Sequence, residues 1–267
     1  MGGHASLVNV PADNAVLKPA HVTFEEACSL PVAFGIVYYA YELAQLQAQE
    51  KVLVQTATGG CGLLGIQLAR LAGCEVFGTS SREHKLAVLR RLNVTHRINY
   101  KTEPFDQRIA QLTQNQGVDA VLNMLSSEYI QAGLNSLAPS GRYLEIAVHA
   151  LKTSPKLDLS GLVSNQSIHS IDLRRLSFAT GEGAKSQLHA MVALLEDNLI
   201  VPILSRVYPF SDIASAIQYV GQGQHIGKVV ISHTCDQMID YTDMCIARML
   251  EQQQTAAERV RNGIASI

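Results

Sequence analysis

The residues best suited to chemistry begin at position 60. Gly60-Cys61-Gly62-Leu63-Leu64-Gly65 is a G-x-G-x-x-G run. Small residues there let a backbone approach a phosphate closely, and free N–H groups at a helix start meet its charge. The pattern alone occurs often by chance, so its context decides. An apolar strand (Val52, Leu53, Val54) precedes it and an apolar helix (Ile66, Leu68, Ala69) follows, which is the arrangement the phosphate cradle requires.

A second group of residues lies about twenty positions on, where an Asp or Glu ordinarily accepts from the ribose 2′-hydroxyl of a dinucleotide. Here the chain reads Gly78-Thr79-Ser80-Ser81-Arg82-Glu83-His84-Lys85. A carboxylate would repel a 2′-phosphate, whereas Ser81, Arg82 and Lys85 offer it charge-assisted hydrogen bonds. The two groups together predict an NADPH site in preference to NADH. Glu83 is assigned to the helix start, because Ser80-Ser81-Arg82-Glu83 has the form of a capping box. Cys61 is expected to pack as a small residue, in a place where a helix start could lower its thiol pKa.

These groups need elements to hold them. From Lys51 the chain alternates strand-like and helix-like runs, the pattern of a parallel sheet wrapped by helices. Expected strands are Lys51–Thr56, Glu75–Thr79, Arg97–Tyr100, Val118–Asn123, Arg142–Ala147 and Ser167–Asp172. Expected helices are Gly62–Ala72, Arg82–Leu92, Pro104–Asn115 and Glu128–Leu137, with a longer one near Glu182–Leu199. Ala138-Pro139-Ser140-Gly141 predicts a turn before the fifth strand. A strand, helix, strand return ends at Lys228-Val229-Val230-Ile231. Residues 1–30 read as extended and Pro-punctuated, while Met238, Cys245 and Met249 predict a C-terminal helix serving as linker or docking surface.

Composition bounds the partners. The chain has 267 residues, 47% apolar and 16% charged, with a formal net charge of -2. That balance suits a globular protein and gives no reason to expect nucleic acid or an anionic membrane as partner. No run of about 18 apolar residues is present to span a bilayer. The five cysteines never form C-x-x-C, and the histidines show no metal-ligand spacing, so no metal is expected. Reduced thiols and a cytoplasmic location follow as expectations. No Ser-His-Asp or Cys-His hydrolase context occurs.

Thr56-Ala57-Thr58-Gly59-Gly60-Cys61-Gly62 followed by Ile66-Gln67-Leu68-Ala69 resembles the A-x-x-G-G-x-G…Q-L-A signature of zinc-free medium-chain reductases. Three further segments look like the enoyl reductase domains of polyketide and animal-type fatty acid synthases. They are Val121-Leu122-Asn123-Met124-Leu125, Gly141-Arg142-Tyr143-Leu144-Glu145-Ile146 and His225-Ile226-Gly227-Lys228-Val229-Val230. Leu30-Pro31-Val32-Ala33-Phe34, continuing to Tyr38-Tyr39, resembles the helix such domains place before the nucleotide-binding fold. Ile98-Asn99-Tyr100-Lys101 is closer to single-protein quinone oxidoreductases. The resemblance covers about residues 1–232.

It implies an α/β fold: a Rossmann-type doubly wound parallel sheet with the remnant of a GroES-like substrate lobe. The expected division is 1–40 for that remnant and its connecting helix, 41–200 for the Rossmann domain, 201–232 for a return to the substrate lobe, and 233–267 for a tail or interdomain linker. Gly60, Cys61 and Gly62 would hold the pyrophosphate, and Ser81, Arg82, Lys85 and Tyr100 would surround the 2′-phosphate. Tyr39, Leu125 and Ile146 would lie near the nicotinamide, and Lys228 would close the site. The chain opens at what resembles the end of the substrate lobe, most of which is therefore expected to be missing.

The implied reaction is reduction of an enoyl thioester on an acyl carrier protein by NADPH, beside neighbouring synthase domains and in a homodimer. The family commonly carries a Lys in E-I-G-K and an Asp about two dozen residues later. Here the first reads Glu145-Ile146-Ala147-Val148-His149, and the Asp position is Asp172. Val148 cannot donate a proton, whereas the imidazole of His149 could do so near neutral pH. Adjacent strand residues face opposite ways, so His149 replaces the Lys only if the strand ends or bulges there. Asp172 and His149 are thus the candidate catalytic residues. A free-standing quinone or alkenal reductase, and a non-catalytic cofactor-binding scaffold that dimerises, stand as alternatives.

Overall fold

The computed structural model describes residue 5 and residues 7–153, 156–173 and 182–261. Its first long helix shows how the sequence places elements. Pro31, which needs no N–H, starts the helix Pro31–Ala44 (α2). Ala33, Phe34, Val37, Ala40, Tyr41 and Ala44 recur at helical spacing and are all buried. A shorter helix, Phe24–Cys28 (α1), precedes it and is closed by a capping box between Thr23 and Glu26.

The strands Lys51–Val54 (β1), Glu75–Ser80 (β2), His96–Asn99 (β3), Val118–Asn123 (β4), Leu137–Glu145 (β5) and Ser167–Ser170 (β6) form one sheet. Their order is β3-β2-β1-β4-β5-β6 and every pairing is parallel. This is the doubly wound Rossmann arrangement, and its topological switch point falls between β1 and β4, beside the glycine run. Gly60–Leu71 (α3), Glu83–Arg91 (α4), Phe105–Leu112 (α5) and Ile130–Asn135 (α6) supply the crossovers. Central strands buried on both faces explain the near-continuous apolar runs of β1 and β4. At the amino end of the sheet, Arg142 makes paired 2.9 and 2.6 Å bonds to Glu50 and a 2.9 Å bond to the Ala44 carbonyl, tying β5 to β1 and α2.

Beyond Val148–Thr153 (α7) and Glu182–Glu196 (α8), a second small sheet forms from Leu204–Pro209 (β7), Lys228–Ser232 (β8) and Ile239–Asp240 (β9). Between β7 and β8 lies Ile213–Gly221 (α9), and the described chain ends in Thr242–Arg261 (α10).

Three local expectations are corrected. Ala138-Pro139-Ser140-Gly141 is not a turn ahead of the strand but part of β5; Leu137 pairs with Val118 and Arg142 with Ala120 across a register shift, and Ser140 takes φ +60. The Pro-Ser-Gly signal is thus a bulge. The capping box at Ser80–Glu83 does not form: Arg82 is the N-cap without a side-chain bond, and Glu83 accepts from Asn99 at 3.0 Å. The C-terminal apolar stripe docks on the chain itself. Cys245, Ile246 and Met249 enter the main core, and Gln252 bonds the Leu199 carbonyl at 2.6 Å, while Met238 precedes the helix and is exposed.

Candidate functional site: the glycine turn and the carboxyl edge of the sheet

The glycine turn is built by close approach. A Cβ on Gly62 would lie 2.5 Å from the Thr56 carbonyl oxygen and 2.6 Å from backbone atoms of Ala57. Only hydrogen fits between α3 and the end of β1. Gly65 serves helix packing instead: its Cβ would meet Leu122, Tyr41 and Val54 at 3.0 to 3.3 Å, and the Tyr41 hydroxyl donates to its carbonyl at 3.2 Å. Thr56 is held at φ +43, an unfavourable conformation for a β-branched residue, in the turn between them. The first intrahelical bond of α3 is Leu63 N–H to Gly59. The N–H groups of Gly60, Cys61 and Gly62 therefore have no partner inside the helix and carry its positive dipole end. Burial pushes the Cys61 thiol up despite nearby Lys228, so the lowering a helix start could give is outweighed.

Lys228 lies over this turn. A Cβ on Gly60 would stand 2.3 Å from its Cε and 2.8 Å from its Cδ, so the lysine stem runs across the glycine. Gly227 makes the approach possible. Its φ is +62, and a side chain there would strike the Ile203 carbonyl oxygen at 2.2 Å. Gly227 N–H bonds the Thr58 carbonyl at 2.8 Å and pairs with Gly59 in a parallel bridge, so β8 is seated against the glycine turn.

More cations gather at the end of β2. Arg82 donates to the Gln222 carbonyl at 3.1 Å, and His84 contacts the Gln224 carbonyl at 3.3 Å, so the loop after α9 folds over the start of α4. Burial, with Arg82 beside it, holds the Lys85 ammonium below the usual lysine range. Burial and then Lys85 and Lys228 lower His225, whose Nδ1 is buried without a hydrogen-bond partner. Tyr100 leaves β3 with its N–H on Ser80 at 3.2 Å, while its half-buried ring packs edge-on against Tyr129 and under the Lys101 ammonium. Burial is the larger cause at both Lys85 and His225, and the neighbouring positive charges add to it. A pyrophosphate at the turn and a phosphate near Arg82 and Lys85 fit this charge and the bare glycines.

The other half of the edge is apolar with a polar support beneath. Leu125 is buried just past β4, and half-buried Ile146, just past β5, packs on the main core together with Tyr39 of α2. Ile146 N–H bonds the Asn123 carbonyl at 3.2 Å. Under them lies Glu145, fully buried, which accepts from Asn123 Nδ2 at 2.6 Å, Ala147 N–H at 2.8 Å and the Tyr143 hydroxyl at 3.3 Å. Burial raises its carboxyl to about 7 in spite of these bonds. Because β5 ends at Glu145, His149 lies in the first turn of α7, exposed, rather than on the opposite face of a strand. Asp172 follows β6, half-buried; the preceding N–H, of Ile171, bonds the Glu145 carbonyl at 2.9 Å.

Sequence reading missed Asn123, Glu145, Gly227, His225 and Gln67. Gln67 makes a two-point amide contact with Val201, accepting at 2.8 Å and donating at 3.3 Å. A polar residue closing an apolar strand was a visible signal for Asn123 and Glu145; for His225 and Gly227 the signal is contact across more than 130 residues, which no local pattern carries.

A family model described as zinc-binding dehydrogenase matches residues 92–231. The lovastatin diketide synthase mokB of Monascus pilosus is 35% identical over 247 residues, covering 90% of this chain and 10% of that protein. The chain thus spans about a tenth of the length of the curated relatives it matches. Among solved structures, the JamJ enoyl reductase in its apo form aligns with TM-score 0.73 and 34% identity, over 82% of this chain and 66% of that one. The nucleotide-binding subdomain of the enoylreductase domain of PpsC from Mycobacterium tuberculosis aligns with TM-score 0.60 and 28% identity, over 64% of this chain and 96% of that one. No group of three or more His, Cys, Asp or Glu among the described residues could hold a metal ion, so the donor set does not fit the zinc of the family description. The edge does fit a nicotinamide dinucleotide, the cofactor this family implies. On the match to more than half its length, with the sheet order and glycine turn that accompany it, the chain belongs to the zinc-binding dehydrogenase family.

Proposed function

We propose that this chain is the cofactor-binding part of an NADPH-dependent enoyl reductase domain in a polyketide or fatty acid synthase, reducing an α,β-unsaturated thioester on an acyl carrier protein. The observation that carries the cofactor choice is the placement of Arg82 and Lys85 at the start of α4, just past β2, where the Glu83 carboxylate is taken up by the Asn99 amide. The relatives and neighbours that support the reaction are polyketide synthases and enoyl reductases.

In this reading the backbone at Gly60, Cys61 and Gly62 holds the pyrophosphate, and Ser81, Arg82, Lys85 and Tyr100 hold the 2′-phosphate. Lys228 closes the site over the turn. Tyr39, Leu125 and Ile146 form the wall that orients the nicotinamide and excludes water from it. The bound dinucleotide supplies a hydride to the β-carbon of the enoyl group. Asp172 and His149 are the groups of this chain proposed to deliver the proton to the α-carbon, which completes addition of two hydrogens across the double bond. The division at residues 1–40, 41–200 and 201–232, a cytoplasmic setting and a homodimer belong to the same proposal. The support for the dimer is β6, which is the sheet edge and exposes Ile168.

The test is incubation with NADPH and crotonyl-pantetheine, following absorbance at 340 nm and the mass of the thioester. Butyryl thioester formed in step with NADPH oxidation supports the reading. Oxidation with a quinone alone would favour the single-protein reductase, and binding without turnover the scaffold.

A further inference from the structure

The support beneath the apolar half of the edge is a specific hydrogen-bond chain. Glu145 reaches the tips of both β4 and β5: Oε1 accepts from Ala147 N–H at 2.8 Å, and Oε2 accepts from Asn123 Nδ2 at 2.6 Å. That second bond fixes which way the Asn123 amide points. Its Oδ1 then faces Leu125 N–H at 3.2 Å, while Nδ2 also reaches the Leu125 carbonyl at 3.4 Å. Asn123 and Glu145 are register partners, both fully buried. We infer that Glu145 is a positioning residue: with both carboxyl oxygens accepting, it sets the Asn123 amide and thereby holds Leu125 and Ile146-Ala147, the wall facing the nicotinamide, in one arrangement. The inference rests on the cofactor reading above.

The chemistry of the chain makes an isosteric change informative. Gln has one acceptor and one donor group where Glu has two acceptors. If its oxygen stays on Ala147 N–H, its NH2 meets the Asn123 NH2; Asn123 must turn over and present a donor to Leu125 N–H. If its oxygen faces Asn123, its NH2 meets Ala147 N–H. Either way one backbone N–H of the wall loses its acceptor, a cost of the order that changes an equilibrium about tenfold. The double variant Asn123→Asp/Glu145→Gln restores both. The carboxylate placed at position 123 accepts from Leu125 N–H and from the new amide at position 145, whose oxygen accepts from Ala147 N–H.

The experiment compares wild type, Glu145→Gln and the double variant in the full chain. Dissociation constants are measured for NADPH and for 2′,5′-ADP, which reports the adenosine half alone, and amide hydrogen exchange is read at Leu125 and Ala147. The expected result for Glu145→Gln is NADPH affinity reduced about tenfold, 2′,5′-ADP affinity within about twofold, and faster exchange at one of the two amides. The double variant should return NADPH to within about threefold of wild type. Unchanged NADPH affinity in Glu145→Gln, equal loss of both ligands, or no recovery in the double variant would overturn the inference. If wild type binds neither ligand, the cofactor reading fails separately. Exchange then decides: an amide that is exposed in Glu145→Gln and protected again in the double variant supports the clamp, and unchanged exchange overturns it.

Discussion

Alanine at Gly60 and alanine at Gly62 differ by one methyl group each, two residues apart on α3, yet the structure separates their effects. At Gly62 the new Cβ would meet backbone on two sides, 2.5 Å from Thr56 and 2.6 Å from Ala57, so the end of β1 must move away from the helix. Overpacking of this kind costs about 3 kcal/mol, and the higher helix propensity of Ala returns about 1 kcal/mol, leaving a net loss of about 2 kcal/mol. At Gly60 the obstacle is the flexible end of Lys228, at 2.3 and 2.8 Å, which can swing aside. Stability should then hold or rise by up to about 1 kcal/mol through reduced freedom of the unfolded chain. The cost appears in binding: displacing the lysine ammonium from the phosphate turn removes a charge-assisted contact worth about 1.5–3 kcal/mol, or at least tenfold in NADPH affinity. Urea unfolding and nicotinamide fluorescence measure the two quantities on the same samples. Equal destabilisation by both substitutions, or a Gly60→Ala variant that binds NADPH as wild type does, would refute the placement of Lys228 over the turn.

Arg82→Ala/Lys85→Ala should weaken NADPH by at least about tenfold and leave NADH nearly unchanged, because the lost contacts address only the 2′-phosphate; parallel loss of both nucleotides would contradict this. Gly227→Ala should destabilise the protein and loosen β8, since it imposes a side chain at φ +62 against the Ile203 carbonyl, and a urea midpoint equal to wild type would count against it. Glu145 gives a pH signature. Its carboxyl is raised from an ordinary 4.5 to about 7, so between those values the folded state binds its proton more tightly than the unfolded state. That contribution to stability, about 3 kcal/mol, is present below pH 4.5 and is lost as pH rises through 7. The difference in unfolding free energy between pH 5 and pH 8 should therefore shrink in Glu145→Gln, and an unchanged slope would refute it. Light scattering at micromolar concentration should give the mass of a dimer; a monomer mass would remove β6 as the pairing edge.

What the sequence made legible is what short-range physics writes into it. Apolar runs gave the six strands, with β4 matching at both ends, and bare glycines after β1 marked the tight turn that opens α3. That Arg82 and Lys85 start the helix after β2 was legible from the order of runs alone, and their proposed cofactor role follows from where the second strand ends in a sheet of this order. Three misreadings share one cause. The Pro139-Ser140-Gly141 bulge, the Glu83 bond to Asn99 and the docking of Cys245 and Met249 are each decided by a partner distant in sequence, and that partner overrode the local signal. The same holds for Lys228, whose position depends on Gly227 meeting Thr58 across the fold. Glu145 is the instructive case: it was quoted as part of a motif, but its three donors come from β4, β5 and the turn after it, and only the folded sheet assembles them.

The NADPH assignment is tested most directly by titrating the full chain with NADPH and with NADH, followed by nicotinamide fluorescence at fixed ionic strength. Saturable one-site NADPH binding at least about tenfold tighter than NADH is expected, through Arg82 and Lys85 just past β2. Equal affinity for the two nucleotides, or binding of neither, would contradict it.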